Sequence, residues 1–487
     1  MINLKIQEPG RKNNLNRCRE KKILLPTFEQ MKDPSGNNSS VKEGLSKVGL
    51  WDVNPLNLFR ITWKNEKRGI GGGFGGVNYF EFPKELTGVN AKIIALIGKW
   101  FPTGAHKVGA TYGCLAPELV TGNFDLTKQK AVWPSTGNYC RGGAFNSALL
   151  GCESVAILPE EMSRERFDWL RKLAGEVIAT PGCESNVKEI FDKCGELRKN
   201  RTDIKIFNQF EEFGNYLWHY DITGSAIREV FEKSLKGKGN AAGYITSTGS
   251  AGTIAAGDYL KQRFPQIKIG AAEALQCPTL LMSGFGAHRI EGIGDKHVPW
   301  IHNIRNTDMV IAIDDQDCIE LIRLFNEDAG KNYLINKGVN PQIVQELNQV
   351  GISGAANLLA SIKFAKYYEL NESDIVFTIL TDSMELYESR LKELNEKYGN
   401  YDEEDAIISY NKSLMGANIA SMKELSYYDR KQIHNLKYFT WVEQQQKSLS
   451  ELNAQWYEYP DYWNSIQSSI SDIEKLINEF NSELEII

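Results

Sequence analysis

From about residue 91 to residue 395, short runs of β-branched and other apolar residues alternate with segments of helical length, the pattern of βαβ units around a largely parallel sheet. The runs that read as strands are "AKIIALIG" (91–98), "KAVWP" (130–134), "SVAILP" (154–159), "EVIATP" (176–181), "IKIFN" (204–208), "AAGYITS" (241–247), "IKIGAAE" (267–273), "MVIAID" (309–314) and "DIVFTILT" (374–381). Between them lie amphipathic segments. In "SRERFDWLRKLAG", Ser163 is placed to cap a helix and Gly175 to stop it, and "ESNVKEIFDKCGELRKN" shows the same helical spacing. So many strands exceed one compact domain, and two α/β lobes with a cleft between them are expected. The boundaries read as an N-terminal extension (1–90), a smaller lobe (91–215), a larger lobe (216–395) and a C-terminal extension (396–487). That last segment is helical and aromatic-rich, placed to wrap the core or a partner subunit.

Composition narrows the class. The chain has 487 residues, 42% hydrophobic and 24% charged, with a formal net charge of −6. This balance leaves no basic footprint for nucleic acid and no polybasic membrane anchor. No apolar run reads as a signal peptide or a bilayer span, so a cytoplasmic protein is expected. Eight cysteines carry no CxxC spacing, which argues against a zinc site or a disulfide scaffold. The acidic "DDQD" at 314–317 reads as helix-capping chemistry rather than a metal site.

Chemistry gathers at three turns. In "PTGAHKVGATYG" (102–113), Lys107 is bedded among small residues behind an apolar run, which fits either a buried amine of lowered pKa or a helix-start lysine whose head reaches water. The turn "WPSTGNYCRGG" (133–143) sets Ser135, Thr136 and Asn138 at a helix start, fit for a carboxylate and equally ordinary as a turn. In "ITSTGSAGTIAAG" (245–257), Gly249, Ser250, Ala251, Gly252 and Thr253 form a nest of N–H groups suited to a phosphate monoester, or a glycine-rich turn with no ligand. No P-loop lysine is present, which argues against a nucleoside triphosphate. The run "GIGGGFGG" (69–76) has neither a strand before it nor a helix after it, so it reads as a mobile or packing turn.

Taken in chain order with "NQF" (208–210), "HRIEGIGDKHVP" (288–299), "GISGAA" (351–356) and "TDSMELY" (381–387), these turns resemble the fold-type II pyridoxal-phosphate enzymes over roughly residues 90–395. Cysteine synthase and cystathionine β-synthase are the nearest in pattern, with tryptophan synthase β in the same superfamily. The resemblance implies an α/β fold of two open twisted sheets flanked by helices, and pyridoxal 5'-phosphate as cofactor. Lys107 would hold it and move the α-proton. His106 and the Gly249–Thr253 loop would contact it, Asn138 would meet the ring's phenolic oxygen, and Ser383 would face the pyridine nitrogen. Ser135, Thr136, Gly137, Tyr139, Gln209 and Gly292 would border the substrate.

Two departures bear on the substrate. Tyr139 replaces a small hydroxyl residue, which would crowd the carboxylate pocket. Asp295, Lys296 and His297 replace small and aromatic residues after "GIG", fitting a more polar substrate or a loop facing water. A longer span before "TDS" implies an inserted helical segment near "LIRLFNEDAGKNYLINKGVNPQ". The expected activity is β-elimination or β-replacement on a small amino acid through an aminoacrylate, by a homodimer. The alternatives are a dehydratase or desulfhydrase releasing ammonia and a keto acid, and a non-catalytic ligand-binding subunit of the same fold.

Overall fold

The computed structural model describes residues 2–135, 137–182, 186–294 and 296–485. Its strands are β1 (Tyr79–Phe82), β2 (Lys92–Ile97), β3 (Lys130–Pro134), β4 (Ser154–Pro159), β5 (Glu176–Thr180), β6 (Ile204–Ile206), β7 (Asn240–Ser247), β8 (Lys268–Ala274), β9 (Met309–Ile313), β10 (Asp374–Leu380) and β11 (Met422–Glu424). The helices that matter for the site are α1 (Glu8–Lys21), α2 (Lys107–Thr121), α3 (Asn138–Leu149), α4 (Arg164–Leu173), α5 (Val187–Asn200), α6 (Ala255–Arg263), α7 (Ile352–Tyr367), α8 (Glu388–Tyr398), α9 (Tyr427–Lys437) and α10 (Asp461–Leu484).

The strands form two sheets. One has seven strands in the order β1-β2-β10-β7-β8-β9-β11, and the other has four in the order β5-β4-β3-β6. The four-stranded sheet is parallel throughout, as are the five inner strands of the larger one. Parallel strands covered by helices on both faces read as continuous apolar runs, which is why all nine expected strands are found. The two antiparallel edges, β1 and β11, went unread because "YFEF" and "MKE" are short and half-polar.

The sheet membership moves one expected boundary. β2 is hydrogen-bonded between β1 and β10, so the larger sheet takes strands from both sides of residue 91. The division there between N-terminal extension and smaller lobe therefore does not follow the sheets. Ser163 does precede α4, but its buried hydroxyl makes no capping bond, and α4 ends at Leu173, before Gly175. The run 69–76 is held from below: the Arg60 guanidinium donates to the carbonyls of Gly71 and Gly72, as well as Leu45 and Val48. The span 315–346 is helical, as the added length implied.

Both extensions pack on the α/β core. Ile473, Ile477 and Phe480 of α10 are fully buried, and Arg11 of α1 forks onto Glu483 at 2.7 and 3.0 Å. At the end of α9, the Lys437 ammonium donates to the carbonyls of Trp300 and His302 and to Gln455 Oε1, at 2.7–2.9 Å. Three donors meet three acceptors, so this buried lysine is satisfied.

Candidate active site

In open α/β sheets, ligands bind beyond the carboxyl ends of the strands, where loops diverge and helix N-termini converge. Four such ends meet in this molecule. β2 leads to the 98–106 turn and α2, β3 leads to Ser135 and α3, β7 leads to the 248–253 loop, and β10 leads to Asp382 and Ser383. Lys107 is the first residue of α2, after Thr103 and Gly104, which both take left-handed backbone conformations (φ 69° and 70°). Its Nζ donates to Ser250 Oγ at 2.8 Å and to Gln209 Oε1 at 3.2 Å. The half-buried amine is therefore anchored at both the phosphate-type loop and the neighbourhood of the Ser135 turn. Gln209 Nε2 completes that link by donating to Ser135 Oγ at 3.2 Å, and Asn215 Nδ2 donates to Ser250 Oγ at 3.1 Å. Ala251 has φ 60°, and Thr253 Oγ1 accepts from Thr246 Oγ1 at 3.1 Å, so the 249–253 loop is tightly wound. A Cβ at Gly249 would stand 3.0 Å from the Gly292 carbonyl oxygen, so the two turns lie in close contact.

Asn138 opens α3 and donates from Nδ2 to Asp382 Oδ2 at 2.6 Å. Its Oδ1 is buried without a hydrogen-bond partner, as are Asp382 Oδ1 and Ser383 Oγ. Tyr387 also donates to Asp382 Oδ2, at 2.6 Å, and Arg166 donates to the Tyr387 hydroxyl at 3.0 Å. Arg166 in turn pairs with Glu291 at 2.9 Å, and Glu291 pairs with Arg390 at 2.7 Å. This buried chain runs between the Glu291 loop, α4, the turn after β10 and α3. Burial pushes the Asp382 carboxyl above its ordinary pKa, while Tyr387 and Asn138 pull it back by donating to the charged form. A Cβ at Gly137 would collide with the Arg166 guanidinium, so only glycine lets that arginine lie over the turn.

Three expected contacts need correction. His106 is fully buried with its ring 4.9 Å from His219 and 5.7 Å from Trp63. Desolvation, with Lys107 nearby, holds its pKa down at about 3, so it is a neutral ring packed among aromatic side chains. Tyr139 points into the interface of α2 and α3, where its hydroxyl meets Cys114 Sγ at 3.5 Å, and so it does not crowd a carboxylate pocket. His297 neither faces water nor lines the turns. It stacks on Phe191 of α5 at 5.6 Å, and its Nδ1 meets Thr440 Oγ1 at 3.2 Å. Thr136 and Asp295 lie outside the described residues. In "DDQD", Asp314 caps the following helix through Gln316 N–H at 2.9 Å, and Asp315 pairs with Arg289 at 2.6 Å.

Comparison with known proteins decides the family. A family model described as "Pyridoxal-phosphate dependent enzyme" matches residues 100–334. A cysteine synthase of Staphylococcus aureus (strain N315) is 30% identical over 257 residues, covering 53% of this chain and 74% of that protein. The chain belongs to the pyridoxal-phosphate dependent enzyme family. A probable cysteine synthase of Bacillus subtilis (strain 168) is 29% identical over 289 residues, covering 59% of this chain and 85% of its own length. The crystal structure of the O-acetylserine dependent cystathionine β-synthase of Helicobacter pylori superposes with a TM-score of 0.54 at 25% identity, covering 64% of this chain and 94% of that one. Residues 1–99 and 335–487 lie outside the family match.

The chain is thus a pyridoxal-phosphate dependent enzyme of the cysteine synthase-like kind, and its cofactor is pyridoxal 5'-phosphate. The side chains fit that group: an amine anchored at the 249–253 loop, and two buried polar atoms, Asn138 Oδ1 and Ser383 Oγ, that have no partner among the described residues. Among the described residues no helix is long and apolar enough to cross a membrane. Sequence reading missed Arg166, Glu291, Asp382 and Tyr387, because charges on an amphipathic helix or in a glycine-rich loop read as solvated. The usable signal was Glu291 inside "HRIEGIG", an acid between apolar residues in a turn otherwise built for close packing.

Proposed function

We propose that this enzyme carries out β-elimination or β-replacement on a small amino acid, with Lys107 as the residue that holds the cofactor and moves the α-proton. One observation carries the reading: Lys107 Nζ lies within hydrogen-bond distance of both Ser250 and Gln209, between a phosphate-type loop and the turn after β3. When bound, the cofactor supplies an electron sink for the pair left at Cα. In this reading the backbone N–H groups of Gly249–Thr253 hold its phosphate, and Asn138 meets the ring's phenolic oxygen. Ser383 meets the ring nitrogen as a neutral hydroxyl, so the residue there imposes no positive charge on the ring and prompt loss of a β-substituent is favoured. Ser135, Gly137 and Gln209 orient the substrate carboxylate at the start of α3, where the helix dipole favours an anion. The Lys107 amine, released from the cofactor by substrate, takes the proton at Cα and returns one to the product.

The test has two parts. Borohydride reduction followed by peptide mapping is expected to place the pyridoxyl label on Lys107, and a label on another lysine overturns the assignment. Incubation with O-substituted serines, with and without a thiol, is expected to yield a β-substituted amino acid or pyruvate. A protein that holds the cofactor but turns over none of them contradicts the reaction.

A further inference from the structure

Asp382 follows β10 at the strand end that carries Ser383, and its carboxyl group is fully buried. Two donors converge on one of its oxygens: Asn138 Nδ2, from the start of α3, and the Tyr387 hydroxyl each lie 2.6 Å from Oδ2. The direction of these bonds is set from further out. Arg166 donates to the Tyr387 oxygen at 3.0 Å, so the phenol has its own hydrogen left to give to Asp382, and Oδ2 is an acceptor. An amide set against an acceptor must present its nitrogen, so Asn138 stands with Nδ2 on Asp382. Its Oδ1 is buried without a partner among the described residues, and that bond to Asp382 is what tells its nitrogen from its oxygen. The carboxyl group is itself confined. Gly351, which precedes α7, donates its N–H to the Asp382 carbonyl at 3.3 Å, and a Cβ at Gly351 would overlap Asp382 Oδ1. On the other side Arg166 is anchored by Glu291 at 2.9 Å, and Glu291 by Arg390 at 2.7 Å. An asparagine amide lacking such a partner can turn by half a rotation, which exchanges its donor for its acceptor.

We propose that Asp382 is a positioning residue: held by Tyr387 and Arg166, it keeps the Asn138 amide in one of its two orientations and so decides which atoms of Asn138 face the cofactor's phenolic oxygen. The inference rests on the placement of Asn138 at that oxygen proposed above and adds the group that orients it. A carboxyl group that served only to pack β10 against α3 and α7 would contribute stability and leave the state of the bound cofactor unchanged.

The absorption of the bound cofactor reads this contact directly, because the ring with its phenolic oxygen protonated and the ring with it ionised absorb in separate bands. The holoenzyme should be prepared as wild type, Asn138→Ala, Asp382→Ala, Asp382→Asn and the double variant N138A/D382A, and the ratio of the two bands measured across pH, with urea unfolding alongside. D382A is expected to shift the ratio at least about threefold, in the direction that N138A shifts it, the scale of one hydrogen bond lost or misdirected. In the double variant D382A should add nothing to N138A, since its effect passes through the amide. Asp382→Asn keeps an acceptor oxygen for both donors and should restore most of the wild-type ratio. An unchanged ratio in D382A, or a shift that recurs in full in the N138A background, overturns the proposal even if stability falls. An N138A ratio equal to that of wild type shows that the amide does not meet the ring oxygen; the reading of Asn138 then fails, and the proposal with it. Should D382A fail to fold or to hold the cofactor, Tyr387→Phe decides, because it releases Asp382 from Arg166. A shift of the same sign that vanishes beside N138A upholds the proposal, and no shift overturns it.

Discussion

Lys107 and Arg166 show how differently two buried or half-buried cations are used. Lys107 has flexible neighbours that can let go, a serine hydroxyl and a glutamine amide, so its amine can leave them and react. Lys107→Ala is expected to lower kcat by at least about 100-fold, the lower range for removing a positioned proton-transfer group, while the folded state survives. Retention of more than a tenth of the activity in single-turnover assays would contradict its role. Arg166 is held by a carboxylate, a phenol and the backbone turn at Gly137, so it cannot leave without exposing Glu291 to burial with Arg390 as its remaining partner. Arg166→Met should destabilise the chain by about 3–5 kcal/mol, the cost of breaking a buried pair from one side. Urea unfolding monitored by tryptophan fluorescence checks this. A loss below about 1 kcal/mol would mean that the pair is solvated in solution.

At the scale of elements, the same four strand ends that bring the turns together also explain why the proposed site falls at the starts of α2 and α3. Each begins at the carboxyl end of a parallel strand, and each directs its free N–H groups into the cleft. The C-terminal helices play no part in that geometry but clamp the loop that follows Gly292. Lys437 at the end of α9 is the centre of the clamp. Lys437→Met would leave the Trp300 carbonyl without its donor, at about 1–3 kcal/mol for a buried group left unsatisfied, while the His302 carbonyl keeps the Ile304 N–H. Hydrogen exchange is expected to quicken in residues 427–444 and 298–303 before the sheets lose protection. Simultaneous loss across both sheets would show the C-terminal segment to be part of one cooperative unit.

For the whole molecule, His297 joins three regions, because it sits in the loop after β8, stacks on Phe191 of the smaller lobe and meets Thr440 of the C-terminal segment. Burial lowers its folded pKa to about 4 from the ordinary value near 6.5. Below pH 6.5 the unfolded chain binds a proton that the folded chain refuses, so the stability this group contributes is present above 6.5 and is lost as pH falls towards 4. The slope from this one group reaches about 1.4 kcal/mol per pH unit. His297→Phe keeps the ring stack and removes the titration. Its stability should therefore fall less steeply than wild type between pH 6.5 and 4.5 in urea melts, and parallel curves would show the histidine to be solvated. All six histidines of the chain share the direction, each held below its ordinary pKa mainly by desolvation.

The alternation of apolar runs with helical segments determined the fold class and the nine parallel strands, because a parallel strand covered by helices is apolar along most of its length. The glycine and hydroxyl turns at 102–113, 133–143 and 245–257 were likewise legible as the places where strand ends meet helix starts, since tight turns that present N–H groups admit few residue types. Side-chain direction was not legible in the same way. Tyr139 sits in the right motif yet turns towards a helix interface, because a residue adjacent to a site residue on a helix points about a quarter-turn or more away, whereas His297, in a loop, is drawn to the Phe191 ring and Thr440. Arg141 and Arg166 read alike in sequence, and only the packing around α3 and α4 sets one against the Trp51 and Trp169 rings and the other against Glu291 and Tyr387. Pairing of a buried charge depends on which distant segment comes to lie within a few ångströms of it, so that distinction was made by the tertiary structure alone.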